Sequence, residues 1–252
     1  WDDDVNVYTN PQLHAEDGIA RFWSRAYTGL YIPVTYTAWS LLARVSPTVD
    51  GGALAEGPIL SPTLFPDANL ALHITCALLL FSLIRRLLPR SEESDSNRIA
   101  LSAAIAAAFF ALHPLQVEAV AWVTAMKELL STALALIAIL LYVGPRERET
   151  KTGALSSSNQ SLAPFRYLAS LLVFFAAILA KPSAVTLPAL LLVIDLAFLR
   201  TPLRNSLPQL APFILASFAA VLTTMRIQYA PGLAFPPAEV ALHLRPLVAL
   251  DT

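Results

Sequence analysis

Three adjacent carboxylates near the start of the chain are the first residues whose type and spacing could do chemistry. They are Asp2, Asp3 and Asp4, and they follow Trp1, an aromatic residue of the kind that settles at a membrane surface. A carboxylate that is partly removed from water beside like charges holds a proton more tightly, which suits a general base for a hydroxyl group. The same oxygen atoms could bind a divalent cation instead, or the run could be a solvated surface feature.

A second polar group lies in the stretch HPLQVEAVAWVTAMKE, from His113 to Glu128. His113 and Glu118 could form a polar wall that faces the acidic run, or they could mark the end of one helix and the acidic first turn of the next. Lys127 and Glu128 could form a simple ion pair, but we favour contact with a phosphate group. The stretch therefore offers candidates for binding an anionic substrate.

Lys181 is the third candidate, and Pro182 and Ser183 follow it at the start of a helix. The ammonium group, the hydroxyl group and the free backbone N–H groups could together hold an anion. Alternatively, Lys181 could extend alone toward the membrane surface. His73 and Asp195 lie inside apolar runs, where each could form an interhelical hydrogen bond or bind a ligand.

The composition indicates that the elements carrying these residues lie in lipid. Of the 252 residues, 56% are hydrophobic and only 14% are charged, whereas about a quarter of the residues in a soluble domain are charged. The net charge is −1 and no basic run is long, which argues against a nucleic-acid partner. Cys76, the one cysteine, lies in an apolar run and is interpreted as a buried structural thiol.

Six apolar runs are candidate membrane spans and predict an all-α, polytopic bundle. A helix needs about 20 residues to cross a bilayer. Several runs are shorter, so one or two of them could be re-entrant or interfacial. The runs are Leu70–Leu88, Ile99–Leu112, Leu129–Val143, Phe165–Ala180, Ala184–Leu199 and Leu210–Thr224.

The loops between the runs differ in lysine and arginine content, which sets orientation in a membrane. Alternate loops hold ten of the 17 cations and are predicted to face the cytoplasm: Arg85, Arg86, Arg90, Arg98, Arg146, Arg148, Lys151, Arg166, Arg200 and Arg204. The short loops between them hold only Lys127 and Lys181. The acidic run, the 113–128 stretch and Lys181 are therefore predicted to share the extracytoplasmic side.

Three regions are predicted along the chain. Residues 1–69 are assigned to a long extracytoplasmic loop with interfacial helices, because aromatic rings that favour the headgroup zone are mixed there with apolar residues. These rings belong to Trp1, Tyr8, Trp23, Tyr27, Tyr31, Tyr36 and Trp39. Residues 70–224 are assigned to the transmembrane domain and residues 225–252 to a truncated extracytoplasmic segment. The chain opens on tryptophan without a signal-peptide pattern, so we expect a fragment of a longer protein.

Five stretches, in this order, resemble the membrane domain of the transmembrane and tetratricopeptide-repeat O-mannosyltransferases and their bacterial relatives. They are WDDDVNVYTNPQL, LYIPVTYTAWSLLARVSP, PDANLALHITCALLLFSLIRRL, ALHPLQVEAVAWVTAMKELLSTALALIAILLY and LAKPSAVTLPALLLVIDLAFLR. The resemblance covers roughly residues 1–200. It implies a polytopic bundle of the GT-C type, a superfamily of glycosyltransferases that use polyprenol-linked donors.

The resemblance also implies roles for the candidate residues. The family's catalytic acidic pair maps onto Asp2 and Asp3 or onto Asp3 and Asp4, so Asp3 is common to both alignments. The family's substrate-binding positions map onto His113, Pro114, Glu118 and Lys181. We add Lys127 as a contact for the donor phosphate.

The function expected from the resemblance is transfer of a sugar, with mannose as the first candidate, from a polyprenyl-phosphate donor to a hydroxyl acceptor, in particular Ser or Thr of a protein, on the extracytoplasmic side. The expected partners are membrane lipid, this donor and a protein or glycan acceptor. Apart from the lipid-linked donor no cofactor is assigned, although binding of a divalent cation stays open as an alternative. For location, we favour a prokaryotic plasma membrane over the endoplasmic reticulum membrane.

Two other classes of function stay open at this stage. A multi-span transporter or flippase of a lipid-linked or small anionic substrate would use the same charges to line a path, but transporters commonly place polar groups near the midplane. An inactive membrane scaffold is the other class, because Ala125 and Met126 stand where the family commonly has an arginine.

Overall fold

The chain folds into a bundle of α-helices, as its composition predicts. The computed structural model describes residues 3–50, 58–61, 63–88, 96–152 and 157–228. The helices are α1 (Gly18–Ser24), α2 (Pro33–Val45), α3 (Leu64–Leu87), α4 (Ser96–Leu112), α5 (Gln116–Ala121), α6 (Met126–Thr152), α7 (Ser157–Ala180), α8 (Leu187–Ala197) and α9 (Leu203–Gln228). The described part also contains a short antiparallel pair that the sequence analysis does not predict, β1 (Thr48–Asp50) with β2 (Pro58–Leu60).

The helix borders follow from local sequence. Pro33 stands in the first turn of α2, where a missing N–H is harmless. Helix α3 begins six residues before the predicted run, has Asp67 in its first turn, and ends with Arg85 and Arg86, so its charges complement the helix dipole at both ends. Lys181 stands before a proline and takes an extended conformation, which ends α7.

Among the residues that the structure describes, three helices are long and apolar enough to cross a membrane: Leu64–Leu87, Val123–Gly144 and Leu203–Ile227. The other three predicted spans correspond to the shorter apolar helices Ser96–Leu112, Pro164–Ala180 and Pro182–Ala197. The last of these begins as a 3₁₀ turn and continues as α8. Only 11% of the apolar window of Leu203–Ile227 is buried within the chain, so most of that surface requires an apolar surrounding.

The main core lies where α6 packs against α7 and α3. Helix α3 also packs on α4, and α9 packs on α8 and on the 3₁₀ turn before it. Buried apolar side chains from these helices form one continuous cluster, which includes Cys76, Ile139, Phe174, Leu191 and Phe213. The thiol of Cys76 is buried, as predicted.

The opening segment forms a second core of its own, in which several of its aromatic rings are buried. Tyr36 and Trp39 are each only 1% exposed. Phe22 stacks on Tyr36 with ring centroids 4.4 Å apart, and Trp39 meets Tyr36 edge-on at 5.3 Å. Met126, the first residue of α6, also belongs to this core. The rings are buried because α1, α2 and the start of α6 close over them. The opening segment is thereby joined to the helical bundle.

Candidate functional site

Asp3 is fixed to the start of the turn that leads into α6. The backbone N–H of Thr124 donates a hydrogen bond to Oδ1 of Asp3 over 2.9 Å, and 121 residues separate the two partners in the chain. Thr124 lies in a 3₁₀ turn, Val123–Ala125, immediately before α6. A carboxylate at such a turn accepts a donor that the turn itself leaves free. One member of the acidic run is thus attached to the 113–128 stretch.

A buried asparagine holds the turn that carries Asp3. Residues Asp4–Tyr8 form a single π-helical turn, and Oδ1 of Asn6 accepts hydrogen bonds from the hydroxyl groups of Tyr36 (2.8 Å) and Thr28 (3.3 Å). Thr28 lies in a tight turn and has a positive φ of 46°, an uncommon conformation for a β-branched residue. The acidic turn is therefore fastened to α2 and to the loop before it.

The pKa of Tyr8 reflects the burial and the negative charge of this turn. The pKa is raised to about 12, mainly by burial and to a smaller extent by the negative charges of Asp3 and Asp4. The phenol therefore stays neutral at physiological pH. Its ring packs edge-on against Phe65 at the start of α3, with centroids 6.3 Å apart.

Asn69 of α3 holds the other side of the contact. Its Nδ2 donates to the carbonyl oxygens of Trp122 (2.8 Å) and Val120 (3.4 Å). The Asn69 side chain is fully buried, and Trp122 is two residues before Thr124. Asn69 therefore fixes the backbone at Trp122, and with it the position of the Thr124 N–H that donates to Asp3.

Lys181 forms a salt bridge with Glu128, and both side chains are partly exposed. Glu128 lies in the first turn of α6, and Lys181 follows the last residue of α7. That end of α7 is held by two buried hydroxyl groups: Thr35 donates to the carbonyl of Ala180 over 2.8 Å, and Ser131 donates to the carbonyl of Ala177 over 3.0 Å.

Two crevices meet at Glu128. The larger, of about 400 Å³, is lined by Leu115, Glu118, Ala119, Trp122, Thr124, Ala125, Lys127 and Glu128. The smaller, of about 270 Å³, combines the Glu128–Lys181 pair and hydroxyl groups with an apolar wall; it is lined by Glu128, Ser131, Thr132, Ala135, Leu136, Ile139, Lys181, Ser183, Ala184, Thr186, Leu187 and Leu190. A charged rim above an apolar wall suits a molecule with a polar head and an apolar tail.

The structure gathers four of the predicted site residues at one end of the bundle. Glu118 and Lys127 line the larger crevice, Lys181 lines the smaller one, and Asp3 binds Thr124 at the wall of the larger one. Glu128 pairs with Lys181, so the Lys127–Glu128 pair considered from the sequence is replaced by a longer-range one. Lys181 therefore has a carboxylate partner at this end of the bundle.

Other predicted residues stand apart from the crevices. His113 lines neither of them; its Nδ1 accepts the N–H of Leu115 at 3.3 Å and its ring meets Phe109, which fits the helix-end interpretation. The backbone carbonyl of Asp4 accepts from Thr9 within its own turn. Asp2 lies outside the described residues, as do residues 229–252.

The two ionisable residues inside the apolar helices form interhelical hydrogen bonds. Nε2 of His73 lies 3.1 Å from the carbonyl oxygen of Ala111, and the Tyr142 hydroxyl donates to Oδ2 of the buried Asp195 over 2.8 Å. Within the ranges described, no three histidine, cysteine, aspartate or glutamate side chains group closely enough to hold a metal ion.

The residues that position the site are not marked by any pattern in the sequence; they are Asn6, Thr35 and Asn69. None of them belongs to a charged motif. The available signal was weak: Asn69 is an amide in a mostly apolar helix, where an unbonded polar group is unfavourable and a partner is therefore expected.

Fold and site together define a helical membrane protein with a polar site at one end of its bundle. The chain is similar to Protein O-mannosyl-transferase F38B6.6 of Caenorhabditis elegans, with 29% identity over 161 residues. The aligned region is 60% of this chain and 21% of the relative, so the chain spans about a fifth of the length of the curated relative that it matches. No family model and no solved structure matches the chain.

Proposed function

We propose that the chain is the membrane part of a glycosyltransferase of the O-mannosyltransferase kind. It transfers a sugar from a polyprenyl-phosphate donor to a hydroxyl group of a protein acceptor on the extracytoplasmic side. Mannose is the first candidate for this sugar. The observation that carries this proposal is the hydrogen bond from Thr124 to Asp3, because it holds a carboxylate at a residue that lines the same crevice as Lys127. The similarity to a protein O-mannosyl-transferase supports the same reaction.

The reaction assigns separate roles to the acid and to the cations. The acceptor oxygen attacks the anomeric carbon of the sugar, the bond from that carbon to the phosphate oxygen breaks, and the acceptor proton passes to Asp3. Because attack and departure occur on opposite faces, the configuration inverts. Lys181 and Lys127 stabilise the negative charge that develops on the departing polyprenyl phosphate. The apolar wall of the smaller crevice receives the first part of the lipid chain.

Replacing Asp3 by asparagine tests the proposed base. Asparagine keeps an oxygen atom that can accept the Thr124 N–H, so the fold should persist while the base is removed. We expect the full-length Asp3→Asn variant to transfer mannose from polyprenyl phosphomannose to an acceptor peptide at least ~100-fold more slowly than the wild type.

Asp17→Asn is the matched control, because Asp17 lies in the same segment but pairs with Arg21 on the surface; its rate should stay near that of the wild type. Equal transfer by the wild type and Asp3→Asn would contradict the assignment. An added chelator distinguishes a base from a cation site: loss of transfer that Mg²⁺ or Mn²⁺ restores would favour cation binding by the acidic run.

A further inference from the structure

Two arginines converge at the end of the bundle opposite to Asp3. A methyl group built on Gly144 of α6 would lie 3.3 Å from Nη1 of Arg166 and 3.4 Å from Nη1 of Arg86. Arg86 belongs to the last turn of α3, and Arg166 belongs to α7. Three helices therefore meet here, and the missing side chain of Gly144 leaves the space that the two guanidinium groups border.

The position of Arg86 is held by the neighbouring helix. Its Nη1 donates to the carbonyl oxygen of Leu140, one turn before Gly144, over 3.3 Å. Arg85, the preceding residue, behaves differently, since its guanidinium lies 5.5 Å from the centre of the Phe81 ring on its own helix. The convergence at Gly144 is thus a property of Arg86 and Arg166 rather than of every cation at this end.

Two cations at such short range favour an anion between them. Where the structure describes side chains, neither guanidinium is in a salt bridge with a carboxylate; the salt bridges found there join Arg21 to Asp17 and Lys181 to Glu128. Like charges that approach without a counter-ion repel each other. The guanidinium group binds phosphate through paired N–H donors, so two of them form a strong phosphate-binding fork.

The depth of the fork indicates the source of the phosphate. From Met126 to Gly144, α6 extends ~27 Å at ~1.5 Å per residue, which is close to the ~30 Å of a hydrocarbon layer. The fork therefore lies near the membrane surface on the side opposite to Asp3. We propose that Arg86 and Arg166, with Gly144 between them, form a binding site for the phosphate headgroup of an anionic phospholipid. Basic sites between membrane helices suit such headgroups.

The binding experiment uses the full-length protein in detergent micelles, with lipid adducts measured by native mass spectrometry. The probes are phosphatidylglycerol, phosphatidylcholine and inorganic phosphate. We expect Arg86→Gln and Arg166→Gln each to weaken phosphatidylglycerol binding about fivefold, while binding of phosphatidylcholine stays unchanged. Arg85→Gln is the matched control because it removes the adjacent charge on the same helix, and it should leave phosphatidylglycerol binding as it is.

Gly144→Ala provides a second variant that does not depend on removing a charge. Alanine favours a helix more than glycine does, so the fold is kept, but the added methyl separates the two guanidinium groups and should also weaken phosphatidylglycerol binding severalfold. Equal weakening by Arg85→Gln and Arg86→Gln would overturn the site, since only general surface charge would then be involved. Inorganic phosphate that binds as tightly as phosphatidylglycerol would overturn the assignment to lipid.

Discussion

Glu128 is the residue at which the two crevices of the site meet. It lines both of them and pairs with Lys181. Since both side chains are partly exposed, the pair contributes at most about 1 kcal/mol to stability. A phosphate group can therefore replace the carboxylate beside Lys181 with little loss of stability. A donor phosphate that enters the smaller crevice would therefore compete with Glu128 for Lys181.

Substitutions of Lys181 and Glu128 should separate binding of the donor from folding. Lys181→Met removes a hydrogen bond to a charged phosphate, so we expect the KM for polyprenyl phosphomannose to rise ~10-fold or more, with little change in the unfolding temperature. Glu128→Gln removes the competitor and should leave that KM equal or lower. Lys181→Arg keeps the charge and should restore most of the affinity. If Lys181→Met and Lys181→Arg gave the same KM as the wild type, Lys181 would have no role in holding the phosphate.

Helix α3 positions the acidic contact although it contributes no charge to it. Asn69 bonds the carbonyls of Val120, near the end of α5, and of Trp122, which follows α5 and stands two residues before Thr124. The opening segment is held in a comparable way through Asn6. Two uncharged amides from separate elements thus determine whether the Thr124 N–H and the Asp3 carboxylate meet.

Asn69→Leu should therefore reduce the rate of transfer as well as stability. Leucine fills a similar volume but leaves two partly buried carbonyl groups without their donor, which destabilises the fold by about 1–3 kcal/mol. Because Thr124 is then free to shift, we expect kcat to fall at temperatures where the variant is still folded, while the KM for the donor changes little. Ser82→Ala is the control on the same helix, since the Ser82 hydroxyl donates to the carbonyl of Leu78 within α3. A variant with reduced stability but an unchanged kcat would limit Asn69 to a structural role.

Across the whole molecule, the features that could be predicted from the sequence are those that repeat along it. Apolar runs predict the helices, because lipid requires each run to satisfy its own backbone groups. Helices that cross from one end to the other bring the 113–128 stretch and Lys181 to the same end, which alternation of cations in the loops already indicates. The same loop charges predict that the acidic run shares this side, and Asp3 contacts the 113–128 stretch through its bond to Thr124.

The remainder depends on long-range packing that leaves no local pattern. Tyr36 and Trp39 lie in a segment whose composition is typical of the headgroup zone. They are nevertheless buried, because α1, α2 and Met126 enclose them. The pairing of Glu128 with Lys181 rather than with another group depends on how α6 and α7 pack. Borders also shift: the run Ala184–Leu199 forms a 3₁₀ turn followed by only eleven α-helical residues.

The orientation of the bundle can be tested with two cysteines at opposite ends of α4. Leu115, just beyond this helix, is 79% exposed, and Ser96 is exposed at its other end; α4 spans ~25 Å between them at ~1.5 Å per residue. In a cysteine-free form of the full-length protein, a membrane-impermeant maleimide should label Leu115→Cys in intact cells. Ser96→Cys should react only after permeabilisation, because the cations of its loop predict that it faces the cytoplasm. Labelling of both positions in intact cells would mean that α4 does not cross the bilayer, and the reverse pattern would place Asp3 in the cytoplasm, away from the acceptor.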